Sequence, residues 1–203
     1  WVHDVVPSMA ALAVHFDADA VAAADPEAAG ARIAAAREEL GRLIAACAAV
    51  AAGDVDADAD VIEVPVCYGG EYGEDLEAVA AQVQLPAAEV VRRHCASPHR
   101  VLMVGFAPGH PYIGGLDPQL SIPRRATPRV RVPQGAVAIA NGQTVVYPFA
   151  IAGGWSIIGR TPLRLFDAAA SPPAIFAPGQ RVRFVAIDAA AYERLHAEFR
   201  DPA

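Results

Sequence analysis

Between residues 105 and 162 the chain places nine of its 16 glycines and eight of its 17 prolines. Such punctuation cuts the apolar sequence into short runs: "RVLMVGF", "GAVAIA", "QTVVYP", "WSIIG" and, further on, "RVRFVAI". Runs of this length and spacing predict strands of a barrel or sandwich and exclude βαβ units, whose crossovers need long helical stretches. The densest punctuation, "GFAPGHPYIGG" (105–115), carries four glycines, two prolines, a histidine and a tyrosine. Such a loop is shaped for close approach by a ligand or another backbone.

Before residue 97 the pattern is different. "ALAVHF" (11–16) alternates as a strand does. Asp25-Pro26-Glu27 supplies an N-cap, an N1 proline and an acidic first turn. The helix that follows collects Ile33, Leu40, Leu43, Ile44, Cys47 and Ala51 near one face. "GDVDADAD" (53–60) lacks the central glycine and closing glutamate of a calcium loop, so it is a polar connection. "VIEVPVCY" (61–68) is a second strand, with Pro65 marking an edge or bulge. Helices are expected around 75–83, 86–96 and 190–200. The fold predicted is a small α+β N-terminal domain (1–96) followed by an all-β barrel (97–203) that ends in a helix.

Charge is unevenly spread. The net charge is −7, yet residues 97–166 hold seven arginines (Arg100, Arg124, Arg125, Arg129, Arg131, Arg160, Arg164) against one acid, Asp117. An acidic protein with a basic middle points away from nucleic acid and toward a small anion or an acidic partner surface. All 16 basic residues are arginine, so no P-loop, Schiff-base or biotinyl lysine exists in this chain. Three cysteines without a CxxC pair fit a reducing compartment. No apolar run is long enough for a membrane span, and "WVHDVVPSMAALAVHF" has no basic start. The expectation is a cytoplasmic protein.

Few residues offer chemistry. "GWSIIG" (154–159) has the wrong spacing for a nucleophile elbow. His94, Cys95 and His99 lack a fourth ligand, so no metal is expected. Asp117 is a turn residue before proline. The general base available in the basic block is His110. What the sequence does offer is a binding surface. "PRRATPRVRVP" (123–133) alternates stiff prolines with Arg124, Arg125, Arg129 and Arg131, and guanidinium groups so presented grip carboxylates or phosphates bidentately. Arg160 extends the anion-binding set. Gly109, Tyr112, Thr144, Tyr147, Gly153, Gly154 and Trp155 are expected to shape the cleft.

The stretches "GFAPGHPYIGGLDPQL", "PRRATPRVRVPQGAVAIANGQTVVYP" and "GGWSIIGRTPLRLF", preceded by "IEVPVCYGGEYGEDLEAVA", resemble the carboxyltransferase subdomain C/D family. That family includes the B subunit of bacterial 5-oxoprolinase, proteins called allophanate hydrolase subunit 1, and Kip-type inhibitors of a histidine kinase. The resemblance implies a cyclophilin-like barrel and an ATP-dependent amide hydrolase whose chains work together. Its partners would be a companion C subunit (subdomain A/B) and a LamB/YcsF-type A subunit. It also implies the alternative of an inhibitory module bound to a histidine kinase. The chain departs from the family pattern at Ala136, Val145, Ala152 and His110, where serine, glycine, proline and an aromatic ring are usual. Those departures bear on the substrate and leave the fold untouched.

Overall fold

The computed structural model describes residues 2–8, 11–17, 19, 26–50 and 61–200. Asp25, Ala51 and the 53–60 run lie outside them, as does the Cys47 side chain. The chain forms two compact units, Trp1–Ala59 and Asp60–Ala203.

In the first unit, β1 (Val2–Pro7) and β2 (Leu12–Phe16) pair antiparallel with Val6 opposite Ala13. Helix α1 (Pro26–Val50) follows. Ile33, Leu43 and Ile44, expected on a buried face, are exposed. Ile33 and Ile44, with Leu12, Val14, Phe16 and Leu40, line an open groove.

The second unit is built on a closed barrel with strand order β10-β3-β11-β4-β5-β8-β7. Its elements are β3 (Val61–Tyr68), α2 (Leu76–Val83), α3 (Ala87–Ala96), β4 (His99–Val104), β5 (Pro111–Gly114), β6 (Arg129–Val132), β7 (Ala136–Ala140), β8 (Gln143–Val146), β9 (Ile151–Gly153), β10 (Ser156–Arg160), β11 (Arg181–Ile187) and α4 (Ala189–Arg200). Among the described residues no helix is long and apolar enough to cross a membrane.

The expected division at residue 97 is corrected here. "VIEVPVCY" is the barrel strand β3, held between β10 and β11, and α2 and α3 belong to the same unit. The strand joins the barrel because it pairs in parallel with β11 along its length, from Arg181 opposite Val61 to Ile187 opposite Cys67. No local feature of the sequence announces a partner 120 residues away. Pro65 does keep the edge character read from it. On its other side β3 meets β10 only at Cys67 and Tyr68, so the missing proline N–H interrupts no ladder there.

Strand β7 is buried on both faces, and its alternation sorts two cores. Val137 and Ile139 join Val64, Val66, Val101, Ile113, Val146, Ile158 and Phe184 in one cluster. Ala136, Ala138 and Ala140 join Val132, Val145, Tyr147, Trp155 and Ile157 in a second. Small side chains on that second face leave room for the ribbon of β6 and β9, which pair Arg129 with Gly153 and Val132 with Ile151. The second core is the floor on which the candidate site is built.

Candidate functional site

Two turns set the site. Asn141 and Gly142 join β7 to β8 with φ of 51° and 73°, the positive pair that a two-residue type I′ hairpin requires. This places Thr144 and Val146 on one face of β8 and Val145 on the other, beside Tyr112 of β5. The loop from β4 to β5 closes on itself: Gly105 N–H donates to the His110 carbonyl (3.0 Å) and His110 N–H donates to that of Ala107 (3.0 Å). Gly109 sits at φ 73°, where a Cβ would also lie 2.8 Å from Cβ of Phe166. Phe106 holds φ 74° without being glycine, a strained conformation of the sort that collects at binding sites.

Around these turns lies a cleft of about 270 Å³ lined by Phe106, His110, Tyr112, Arg124, Asn141, Tyr147, Ala152, Gly153, Gly154 and Trp155. The structure thus brings together His110, Tyr112, Tyr147, Gly153, Gly154 and Trp155, all expected from sequence, with Arg124 at their edge. Tyr112 packs edge-on against Trp155, with ring centres 6.1 Å apart. Gly153 is obligatory because a Cβ there would strike the Tyr147 hydroxyl.

His110 is buried against the rings of Phe106, Tyr112 and Tyr147, whose centres lie 5.4, 5.0 and 5.3 Å away. That burial pushes its pKa down to about 4, with only its own backbone acting in opposition, so the ring is neutral at pH 7. Burial pushes the Tyr147 phenol up to about 12, against the pull of Arg124 and Arg129. Tyr112 is raised for the same reason, again opposed by Arg124. Both tyrosines therefore keep their protons. Among the described residues, Arg124 is the only charged one lining the cleft.

The remaining arginines are used otherwise. Arg125 Nη1 and Arg129 Nη2 donate to Oδ1 of Asp75 at 3.0 and 2.8 Å, and Arg129 Nε lies 3.2 Å from Glu74. The second carboxylate oxygen of Asp75 accepts from Ile157 N–H at 2.7 Å. The two guanidiniums fasten the proline-rich arm to the barrel instead of pointing into the cleft. Arg131 is exposed on β6, and Arg160 lies beside Tyr192 of α4. Thr144, expected to shape the cleft, faces the barrel interior, where its Oγ1 is 3.1 Å from Nε2 of His94. The same histidine bonds the Tyr68 hydroxyl through Nδ1 (2.8 Å), and its carbonyl accepts from Nε2 of His99 (2.8 Å). His94 and His99 are core residues.

Sequence reasoning missed Asp75, Asn141 and Phe106. Asp75 stands where a helix N-cap belongs, yet makes no cap bond. Asn141-Gly142 is a readable hairpin signal. Phe106 has none. Among the described residues the assembled site holds one cation, aromatic walls, a neutral imidazole and no carboxylate. A lone guanidinium among aromatic rings is the chemistry of contact with a small anion.

By its sequence profile the family described as carboxyltransferase domain, subdomain C and D, matches residues 1–176. The chain is 46% identical over 134 residues to the B subunit of 5-oxoprolinase from Bacillus subtilis, covering 66% of this chain and 56% of that one. It is 51% identical over 124 residues to the B subunit of 5-oxoprolinase from Escherichia coli O157:H7, covering 61% and 57%. It therefore spans a little over half the length of these curated relatives. A conserved uncharacterised protein of Pyrococcus horikoshii shares the fold with a TM-score of 0.64 and 36% identity, over 95% of this chain and 82% of its own.

Proposed function

This chain belongs to the carboxyltransferase subdomain C and D family, and from that membership we propose that it is part of the B subunit of an ATP-dependent 5-oxoprolinase, binding the small anionic substrate without transforming it alone. The observation that carries this reading is the cleft: one cation, Arg124, set against tyrosine and tryptophan walls, with no carboxylate or nucleophile among the described residues. Its chemistry suits a five-membered lactam acid. A lactam is a poor electrophile, and phosphorylation of its oxygen by ATP creates a leaving group. Within this chain Arg124 would hold the substrate carboxylate and the rings would exclude water. A single guanidinium is too little for a triphosphate, so ATP belongs on a partner. The partners are a companion C subunit with the A/B subdomains and a LamB/YcsF-type A subunit.

The test is ATP-dependent glutamate release from 5-oxoproline, run on the purified chain and then on the complex recovered with it from its own cell lysate. Activity in the complex alone is expected. The Arg124→Ala complex should assemble and lose roughly 10- to 100-fold in kcat/KM, the range of one charge-assisted hydrogen bond. Unchanged kcat/KM would remove Arg124 from the site. A second reading draws on Phe106 and Val130, 69% and 92% exposed beside the proline-rich segments. Such apolar residues fit a Kip-type contact with a histidine kinase. Kinase inhibition without turnover by any complex would favour it.

A further inference from the structure

A second cavity of the barrel unit, about 480 Å³ in volume, opens where α3 runs into β4. It shares no lining residue with the cleft. Arg100 of β4 and Arg181 and Arg183 of β11 line it, and among the described residues no carboxylate does. Strand register gathers these cations. Arg100 stands directly opposite Arg181 in the antiparallel pair, and Arg183 follows two residues on, on the same outward face. The alternate residues Val182 and Phe184 point into the core.

Like charges facing each other across a strand pair destabilise a sheet, so this arrangement needs a compensating charge. Arg183 is paired with Glu63, its cross-strand neighbour on β3, and Arg100 donates to the Gly179 carbonyl at 2.7 Å. The Arg181 guanidinium has no such partner among the described residues. Three guanidiniums less the Glu63 carboxylate leave a local charge of +2 in a chain whose net charge is −7.

We propose that this cavity is a phosphate site, which takes a dianionic phosphate group, free or as a small monoester, between Arg100 and Arg181. Two negative charges match the local +2, whereas a monoanion leaves half of it unbalanced. Guanidinium forks hold phosphate oxygens bidentately, and a phosphate group has oxygens enough for two forks at once. The facing wall, residues 95–98, leaves recognition to the strands. Its Ser97 hydroxyl already donates to the Arg93 carbonyl (2.8 Å) and accepts from Asp117 N–H (3.0 Å).

Inorganic phosphate, glycerol 3-phosphate and dimethyl phosphate are titrated into the purified full chain at pH 8, where monoesters are dianions and the dimethyl ester carries one charge. Calorimetry is expected to show the first two binding at least about tenfold more tightly than the third. Arg181→Ala should weaken both by roughly tenfold or more, and Arg181→Lys, which keeps the charge without the fork, by less. Arg124→Ala should leave both unchanged, which separates this cavity from the cleft. A tighter glycerol ester assigns the site to monoesters, and equal affinities assign it to the free ion.

Melting temperatures separate this reading from one in which Arg181 merely offsets the negative C-terminal end of α3. A phosphate site predicts that Arg181→Ala melts no lower than the native chain without phosphate, and that phosphate raises the native melting temperature alone. A lower melting point for the ligand-free variant, with no response of the native chain to phosphate, overturns the proposal. So does a Kd weaker than about 10 mM for both dianions, equal affinity for dimethyl phosphate, or undiminished binding by Arg181→Ala.

Discussion

Asp75 is 7% exposed and joins three separate parts of the chain: the start of α2, the arm carrying Arg125 and Arg129, and the backbone of β10 at Ile157. Removing it leaves the largely buried Arg129 with only Glu74, and the buried Ile157 N–H without its acceptor. Asp75→Ala is expected to cost about 3 kcal/mol in urea denaturation at pH 7. Arg125→Ala, at the more exposed end of the cluster, should cost less than about 1 kcal/mol. Equal losses would mean that Asp75 is not the hub. Gly153 offers a second test. Gly153→Ala drives a methyl group into the Tyr147 hydroxyl and ring, for an expected loss of about 1–3 kcal/mol. In a Tyr147→Phe background the loss should shrink, since part of the obstacle has gone. These cases also show what can be read residue by residue. The glycines and aromatic residues of the cleft sit in short motifs whose composition announces them. The pairing of Arg125 and Arg129 depends on a carboxylate 50 or more residues away, which spacing cannot reveal. Nearness to Tyr147 along the chain suggests a place in the cleft for Thr144. Strand parity turns it the other way.

At the scale of elements, the helices and short strands are legible because their boundaries coincide with glycine, proline and acidic residues. The membership of β3 is not, because a strand shows its alternation but not its neighbour. What β3 and α3 enclose has a measurable consequence. Burial holds the pKa of His94 and His99 below the ordinary histidine value, His99 adding to the effect on His94, and His110 is similarly depressed. Their folded pKa values lie below the unfolded one. Stability is therefore full above about pH 6.5 and falls as pH drops toward the folded values, since the unfolded chain takes up protons that the barrel refuses. Between pH 6.5 and 5 the loss should reach about 2 kcal/mol for His110, whose folded value lies near 4, and His94 and His99 add to it in the same direction. Denaturation at pH 7.5 and 5 measures it. His110→Phe should flatten the slope by one histidine's share, and an unaltered slope would contradict its assigned burial.

For the whole molecule, every residue lining the cleft lies in the unit Asp60–Ala203. A chain beginning at Asp60 is therefore expected to melt cooperatively by circular dichroism and, under the proposed function, to match the longer chain in affinity for 5-oxoproline. Loss of binding with the fold intact would assign the first unit a part in the site. The parallel pairing of β3 with β11 also governs how the molecule can be made. Every other junction of the barrel is antiparallel. This one joins residues separated by 120 positions, a contact of high sequence separation that pays its loop-closure entropy late. A ribosome that has delivered the entire cleft, down to Trp155, has still not delivered β11. Until residues 181–187 emerge, the valine-rich strand "VIEVPVCY" has an open flank on which other chains can pair. The growing chain is thus most exposed to aggregation just when the residues of its cleft are already complete, and a truncation before residue 181 would leave it in that condition permanently.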